Sequence, residues 1–256
     1  MKVTIIPSSM TPPGQHQEQY LISYLINDSV AVDAGCLGFY LTPVEQAKVQ
    51  HVLISHTHAD HIASLPIFAE NAYEAGDACV TVHGSKAVLD CLRTDVFNGR
   101  VWPDFLGMAE GGLSFLRLGS LEHLRTIEVE GLRITPVEVN HVVPTMGFLI
   151  EDDHSAVVIA SDTGPTEALW RLASATPRLD AVFLEASFPD ELEWLAAVSM
   201  HMTPARFAVE ASKVSHPARW IAVHMKARYR EQIARELADL RLEGLEIGRF
   251  GVPYSF

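Results

Sequence analysis

A chain of 256 residues with 48% apolar side chains is long enough to bury a sizeable core as one domain spanning residues 1–256. Its 19 Lys and Arg against 32 Asp and Glu leave a formal charge of -13, which argues against grip on nucleic acid through a basic footprint. Charged residues at only 20% argue against disorder, and no apolar run reaches the roughly 18 residues of a membrane span.

The opening MKVTIIPSSM has one lysine and a short apolar run broken at Pro7, so it reads as a strand over 3–6 rather than a signal peptide. Strands are expected over 21–26 and 30–32, joined by a hairpin turn at Asn27-Asp28. Thr42-Pro43 gives an N-cap and a first helical position. A buried strand over 52–55 leads to a helix beginning near His61 that carries Ile62, Leu65, Ile67 and Phe68. A strand over 79–83 and a helix over 85–95 follow. Residues 98–121 are rich in glycine and carry no clear period.

Further strands are expected over 125–129, 132–139, 147–150 and 156–160. Helices then start near Thr166, Glu191 and Thr203, the last with Thr203-Pro204 repeating the N-cap signature. Strands over 181–184 and 220–223 lie between them. A final helix carries Tyr229, Ile233, Leu237 and Leu240 on one face. This order predicts an α/β fold, with two sheets packed together and helices outside, a four-layer α/β/β/α sandwich. Three widely spaced cysteines, Cys36, Cys79 and Cys91, give no disulfide framework and make a reducing cytoplasm the expectation.

The chemistry concentrates in SHTHADH, residues 55–61, straight after the apolar strand. His56, His58, Asp60 and His61 are four potential metal ligands. On a tight loop the first pair can face one way while Asp60 and His61 face an adjacent position, so one loop can serve two metals. Imidazole and carboxylate favour zinc, manganese or iron over calcium. A solvated polar loop explains one histidine but not this set. His141, Asp162 and His224 each follow an apolar strand, where α/β sites are built. A lone strand-end histidine is ordinarily a hydrogen-bonded structural residue. Beside SHTHADH, all three are read as ligands.

HxHxDH followed by a distant His, Asp and His resembles the metallo-β-lactamase superfamily of dinuclear metallohydrolases over most of the chain. The resemblance implies two divalent metals, with zinc first in expectation. His56, His58 and His141 would hold one; Asp60, His61 and His224 the other; Asp162 would bridge. Asp33, in VDAG, matches a position that buttresses the ligand loop.

Three more stretches resemble the class II 3′,5′-cyclic-nucleotide phosphodiesterases: FNxxVWPDF (97–105), FLEASFP (183–189) and MHMTP (200–204), the last with Met200 where that family has glycine. The second and third, and HMKARY (224–229), also resemble the tRNA 3′-processing endonucleases. WPDF, the negative charge and the lack of a basic arm favour the phosphodiesterase. The implied activity is attack on a cyclic phosphodiester by hydroxide shared between the metals. His201 is the expected proton donor to the leaving oxygen, oriented by Glu185, and Asp60 is counted with them as catalytic. Aromatic residues of the 97–105 loop would either stack on a base or fill the core.

The alternatives are a tRNA-end nuclease, a small ester or lactone hydrolase, and a non-catalytic metal-binding scaffold. The expected partner is a small anionic substrate, with neither membrane nor nucleic acid, and size alone suggests a homodimer. His16, His51, His83, His123, His154 and His216 fit no pattern and read as structural or surface residues.

Overall fold

The computed structural model describes residues 1–9, 19–73, 79–110 and 113–256, so His16 lies outside the described residues. Strands β1 (Lys2–Ile5), β2 (Tyr24–Ile26), β3 (Val30–Val32), β4 (His51–Leu53), β5 (Val80–Gly84) and β6 (Leu116–Ser120) build a first sheet in that spatial order. Strands β7 (Ile127–Val129), β8 (Leu132–Val139), β9 (Thr145–Glu151), β10 (Ala156–Ile159), β11 (Ala181–Glu185), β12 (Arg219–Val223) and β13 (Leu245–Ile247) build a second. Strand β14 (Tyr254–Ser255) returns to pair with β1. Each sheet begins antiparallel and becomes parallel, from β3 to β6 in the first and from β10 to β13 in the second.

Helices α1 (Pro43–Gln46), α2 (Ala59–Ile62), α3 (Leu65–Asn71), α4 (Lys86–Cys91) and α5 (Phe105–Glu110) connect strands of the first sheet. Helices α6 (Ala168–Ala175), α7 (Glu193–Ser199), α8 (Pro204–Ala211) and α9 (Arg230–Asp239) belong to the second. Strand alternation divides the apolar side chains between two faces. Leu53 points to the centre, where Val3, Ile5 and Ile26 meet Ile134, Phe148, Phe183 and Ile221 of the second sheet. Its neighbours Val52 and Ile54 point outward to Leu65, Phe68 and Val88. On the opposite flank Val182, Leu184 and Ala222 pack on Leu169, Trp170, Phe207 and Ile233. Both sheets are therefore covered on both faces, and the layers run α/β/β/α as the sequence predicts.

The local signals behave as their chemistry requires. Asn27 and Asp28 take left-handed φ of 47° and 61° at the hairpin. Thr42 and Glu45 form a reciprocal capping box. The Thr203 hydroxyl accepts from Arg206 N, with Pro204 at the first helical position.

Several expectations need correction. Residues 21–23 precede β2 rather than extend it. The helix expected from His61 is two helices, because Ser64 turns its hydroxyl to Ala34 O (2.7 Å) and breaks the run. The helix over 85–95 stops at Cys91 and widens into a π turn, Leu92–Val96. The unassigned region holds α5 and β6. Tyr229 sits in a single 3-10 turn before α9. Among the described residues, no helix is long and apolar enough to cross a membrane.

Gly35 fixes how the first sheet presents its ligand loop. A Cβ there would lie 1.9 Å from Asp60 O and 2.7 Å from the backbone of Ile22. The close approach allows Ile22 N to reach Asp60 O (2.8 Å), Ala34 N to reach His61 O (2.8 Å) and Gly35 N to reach Ile22 O (2.9 Å). Gly35→Ala should therefore cost at least about 2 kcal/mol of stability through overpacking against backbone. Urea unfolding at fixed metal concentration measures it, and an unchanged midpoint would contradict this packing.

Candidate metal centre

The site forms where the C-terminal ends of β3, β4, β10, β11 and β12 meet the end of β8. Asp33 follows β3, is 1% exposed and takes a left-handed φ of 60°. Its Oδ1 accepts from Ser55 N (2.8 Å), and its Oδ2 from Ser55 Oγ (2.8 Å) and His61 Nδ1 (2.7 Å). Proton donation from Nδ1 leaves the lone pair of His61 on Nε2, the ligating tautomer.

Three imidazole nitrogens converge beside it. His56 Nε2 lies 3.0 Å from His58 Nδ1, and His141 Nε2 lies 3.3 Å from the same atom. His141 Nδ1 donates to Met200 O (3.0 Å), so its Nε2 also presents a lone pair. Asp162, 2% exposed, places Oδ2 at 3.1 Å from His224 Nε2, 3.3 Å from His61 Nε2 and 3.9 Å from His56 Nε2. His224 Nε2 lies 3.8 Å from Asp60 Oδ2.

The potential ligand atoms of His56, His58, His141 and Asp162 fall within 4.8 Å of one another, as do those of Asp60, His61 and His224, and those of Asp162, His201 and His224. These groupings bring together every residue that the sequence singles out as a ligand. They also place His201 against Asp162 and His224.

The donor set suits divalent cations. His61 Nε2 is fully buried and has no hydrogen-bond partner, although a carboxylate faces it. Burial, reinforced by repulsion from His61, His141 and His58, pushes His56 far below the ordinary imidazole range. Burial lowers His58 and His141 as well. Neutral imidazoles with facing lone pairs are the state a metal requires. Burial by itself would raise Asp162, but His224 and His61 hold it well below the usual carboxylate range. Burial would lower His61, yet Asp162 and Asp33 outweigh it and raise it well above. Those two carboxylates thus hold positive charge at His61, a place that a proton or a metal ion can take.

Glu185 ends β11 and is 1% exposed. It approaches His201 Nδ1 at 2.8 and 2.9 Å and accepts from Thr163 N (2.8 Å) and Ser187 Oγ (2.6 Å). Burial would lower His201; the Glu185 carboxylate more than offsets it and raises it. Met200 occupies a left-handed C-cap (φ 52°), a conformation glycine takes more readily, and its carbonyl serves His141.

The aromatic side chains of the 97–105 loop pack into the outer core, with Trp102 partly buried against the same cluster. Phe97 and Phe105 are 1% and 3% exposed and stack with Phe115 in the outer core of the first sheet. The Phe188 ring lies 5.8 Å from that of His201, and Tyr229 lies 6.3 Å from Phe188. Sequence reasoning gave neither of them, nor Lys226, a role at the site, because no spacing rule marks one. Among the unassigned histidines, His51 and His83 pair across β4 and β5 at 2.9 Å, and His216 reaches Ser174 O at 2.8 Å.

The Asp33 carboxylate is engaged by the two ends of the ligand loop, Ser55 and His61. Asp33→Asn should keep the fold and weaken metal binding by roughly 10–100-fold, the usual effect of removing a carboxylate behind a ligating imidazole. Metal titration of apoprotein checks this, and an unaltered affinity would rule out the buttressing role.

A family model described as a beta-lactamase superfamily domain matches residues 28–225. Ribonuclease Z of Latilactobacillus sakei is 23% identical, over 77% of this chain and 76% of its own. A probable 3′,5′-cyclic-nucleotide phosphodiesterase of Yersinia pestis is 24% identical, over 74% of this chain and 57% of its own length. Among solved structures, the metallo-beta-lactamase fold protein YhfI of Bacillus subtilis superposes with a TM-score of 0.75 at 17% identity, covering 99% of this chain and 98% of that one. Unliganded yeast PDE1 superposes at 0.74 and 16% identity, covering 96% of each chain. With the two-sheet architecture and the matched residues together, the chain belongs to the beta-lactamase superfamily of hydrolases and has its metallo-β-lactamase fold.

Proposed function

We propose that the chain is a dinuclear metal-dependent phosphodiesterase that opens 3′,5′-cyclic nucleotides. His56, His58 and His141 would hold one divalent ion, Asp60, His61 and His224 a second, and Asp162 both. Zinc, manganese and iron all suit this imidazole and carboxylate set. Such ions supply Lewis-acid charge to phosphoryl oxygens and lower the pKa of water.

The observation that carries the reading is the buried His201–Glu185 pair, whose histidine stands 4.0 Å from Asp162 Oδ2. Hydrolysis of a phosphodiester needs a proton for its leaving alkoxide. Glu185 holds His201 Nδ1, which leaves Nε2 as the atom that gives the proton to the departing 3′-oxygen. Thr163 N and Ser187 Oγ keep Glu185 in place, and Ser187 Oγ approaches both Glu185 Oε2 (2.6 Å) and His224 O (2.9 Å). The proton donor is thereby fixed relative to the candidate ligands, and positioning of this kind is much of what phosphoryl chemistry asks of a protein.

A small cyclic substrate is favoured by the charge of -13 and by the likeness to the Yersinia protein. The ribonuclease Z match supports a second reading, cleavage at a tRNA 3′ end. Hydrolysis of cyclic AMP, cyclic GMP, bis(p-nitrophenyl) phosphate and pre-tRNA separates the two. Cleavage of pre-tRNA with neither cyclic nucleotide touched would overturn the first.

His201→Ala should retain its metal and lose roughly 10²–10⁴ in rate on the cyclic nucleotide. The loss should be much smaller on bis(p-nitrophenyl) phosphate, whose leaving group needs little protonation. Equal losses on both substrates would exclude His201 as the acid.

A further inference from the structure

Lys226 lies two residues beyond His224, at the start of the single turn Ala227–Tyr229. Its amide N–H donates to Ser187 O (3.3 Å) and its carbonyl accepts from Tyr229 N (2.8 Å). The ammonium group stands 3.2 Å from His224 Nε2 and 3.5 Å from Asp60 Oδ2, both candidate metal-binding atoms. The side chain is 35% exposed, whereas those of His224 and Asp162 are 7% and 4% exposed. Lys226 is thus a cation at the rim of a site whose deeper atoms would receive further cations.

For metal binding this placement is adverse. An ammonium group has three donors and no lone pair, and it repels a divalent ion across a few ångströms. A pairing with Asp60 answers one charge only, and Asp60 is itself a candidate ligand. The arrangement becomes favourable when an anion enters between Lys226 and the cations. His201 is a second neighbour of His224, with ring centroids 5.6 Å apart. A phosphoryl group facing His224 would therefore lie near both the imidazole of His201 and the ammonium group of Lys226.

We propose that Lys226 is the anion anchor of the site and receives a non-bridging oxygen of the bound phosphoryl group. This rests on the phosphodiesterase reading above. It assigns Lys226 to holding the charged oxygens and His201 to the leaving one. The chemistry recognised is a tetrahedral phosphate oxyanion, and it is shared by substrate and product.

The test is equilibrium binding of inorganic phosphate to metal-loaded wild type, Lys226→Met and Lys226→Arg, with metal per chain measured in each sample. Lys226→Met should keep its metal and bind phosphate about 10–100-fold more weakly, as expected for loss of a charge-assisted hydrogen bond. Lys226→Arg should recover most of that affinity, since a cation at this place is what is required. On bis(p-nitrophenyl) phosphate, KM should rise more than kcat falls. Arg228→Gln, which removes an exposed cation from the same turn, should change phosphate binding little. Unaltered phosphate affinity in Lys226→Met would overturn the anchor, as would loss of metal from that variant or a failure of the wild type to bind phosphate. A wild type that binds phosphate through Lys226 yet hydrolyses no phosphodiester would refute the phosphodiesterase reading and leave the anchor standing.

Discussion

The whole site depends on one buried carboxylate with three donors. Asp33 is nearly inaccessible, and a charge in that position is tolerated only when its oxygens are fully engaged. Ser55 supplies an amide and a hydroxyl, and His61 supplies an imidazole N–H. These contacts fasten both ends of the SHTHADH loop to the end of β3. The loop's shape is therefore set by a strand next to it in the sheet rather than by its own sequence. The absence of a Cβ at Gly35 lets the same corner press against Asp60 O, so backbone and side chain enforce one arrangement.

Left-handed corners at non-glycine residues recur around this point. Asp33, Ser161, Met200 and His224 have φ of 60°, 58°, 52° and 55°. Each costs about 1–2 kcal/mol relative to ordinary backbone. Two are candidate site residues or their buttress, and the other two immediately precede Asp162 and His201. Each bend lies where the chain leaves a strand or helix end for the site. The strain persists because tertiary contacts determine it: Asp33 N reaches Leu53 O at 2.8 Å, and His224 N reaches Gln19 Oε1 at 3.3 Å. Strain concentrated where side chains must converge is the pattern expected of a functional centre.

What the sequence made legible follows from how locally each feature is determined. SHTHADH declares itself because four ligand-type residues follow a buried strand, and His141, Asp162 and His224 because each closes an apolar run. The capping residues Thr42 and Thr203 act on their own helices. Of the strands missed, β13 and β14 have only three and two residues, and β6 carries Gly119 where His83 packs against it and a Cβ would lie 2.4 Å from Nδ1. Their pairing is decided by neighbours far away in sequence. The aromatic cluster of residues 97–105 was ambiguous for the same reason: whether Phe97 and Phe105 face a ligand or the core depends on Phe115 and the helices beside them. Lys226 and Phe188 gain meaning only from distances to His224 and His201.

The two sheets also divide the chemistry. The first contributes the loop with His56, His58, Asp60 and His61, all fixed through Asp33. The second contributes Asp162, Glu185, His201 and His224, tied together by Glu185 and Ser187. Glu185 takes the amide of Thr163, next to Asp162, and also holds His201; Ser187 approaches Glu185 and the carbonyl of His224. His201 and Asp162 are thus placed by one buried network, distinct from the network that places the histidine loop. Asp162 Oδ2 is where the two networks meet, within 3.3 Å of His61 from one and 3.1 Å of His224 from the other. Cations shared between those groups would clamp the sheets together at an edge where both present candidate ligands. The same contact therefore also fixes the separation between the histidine loop and His201.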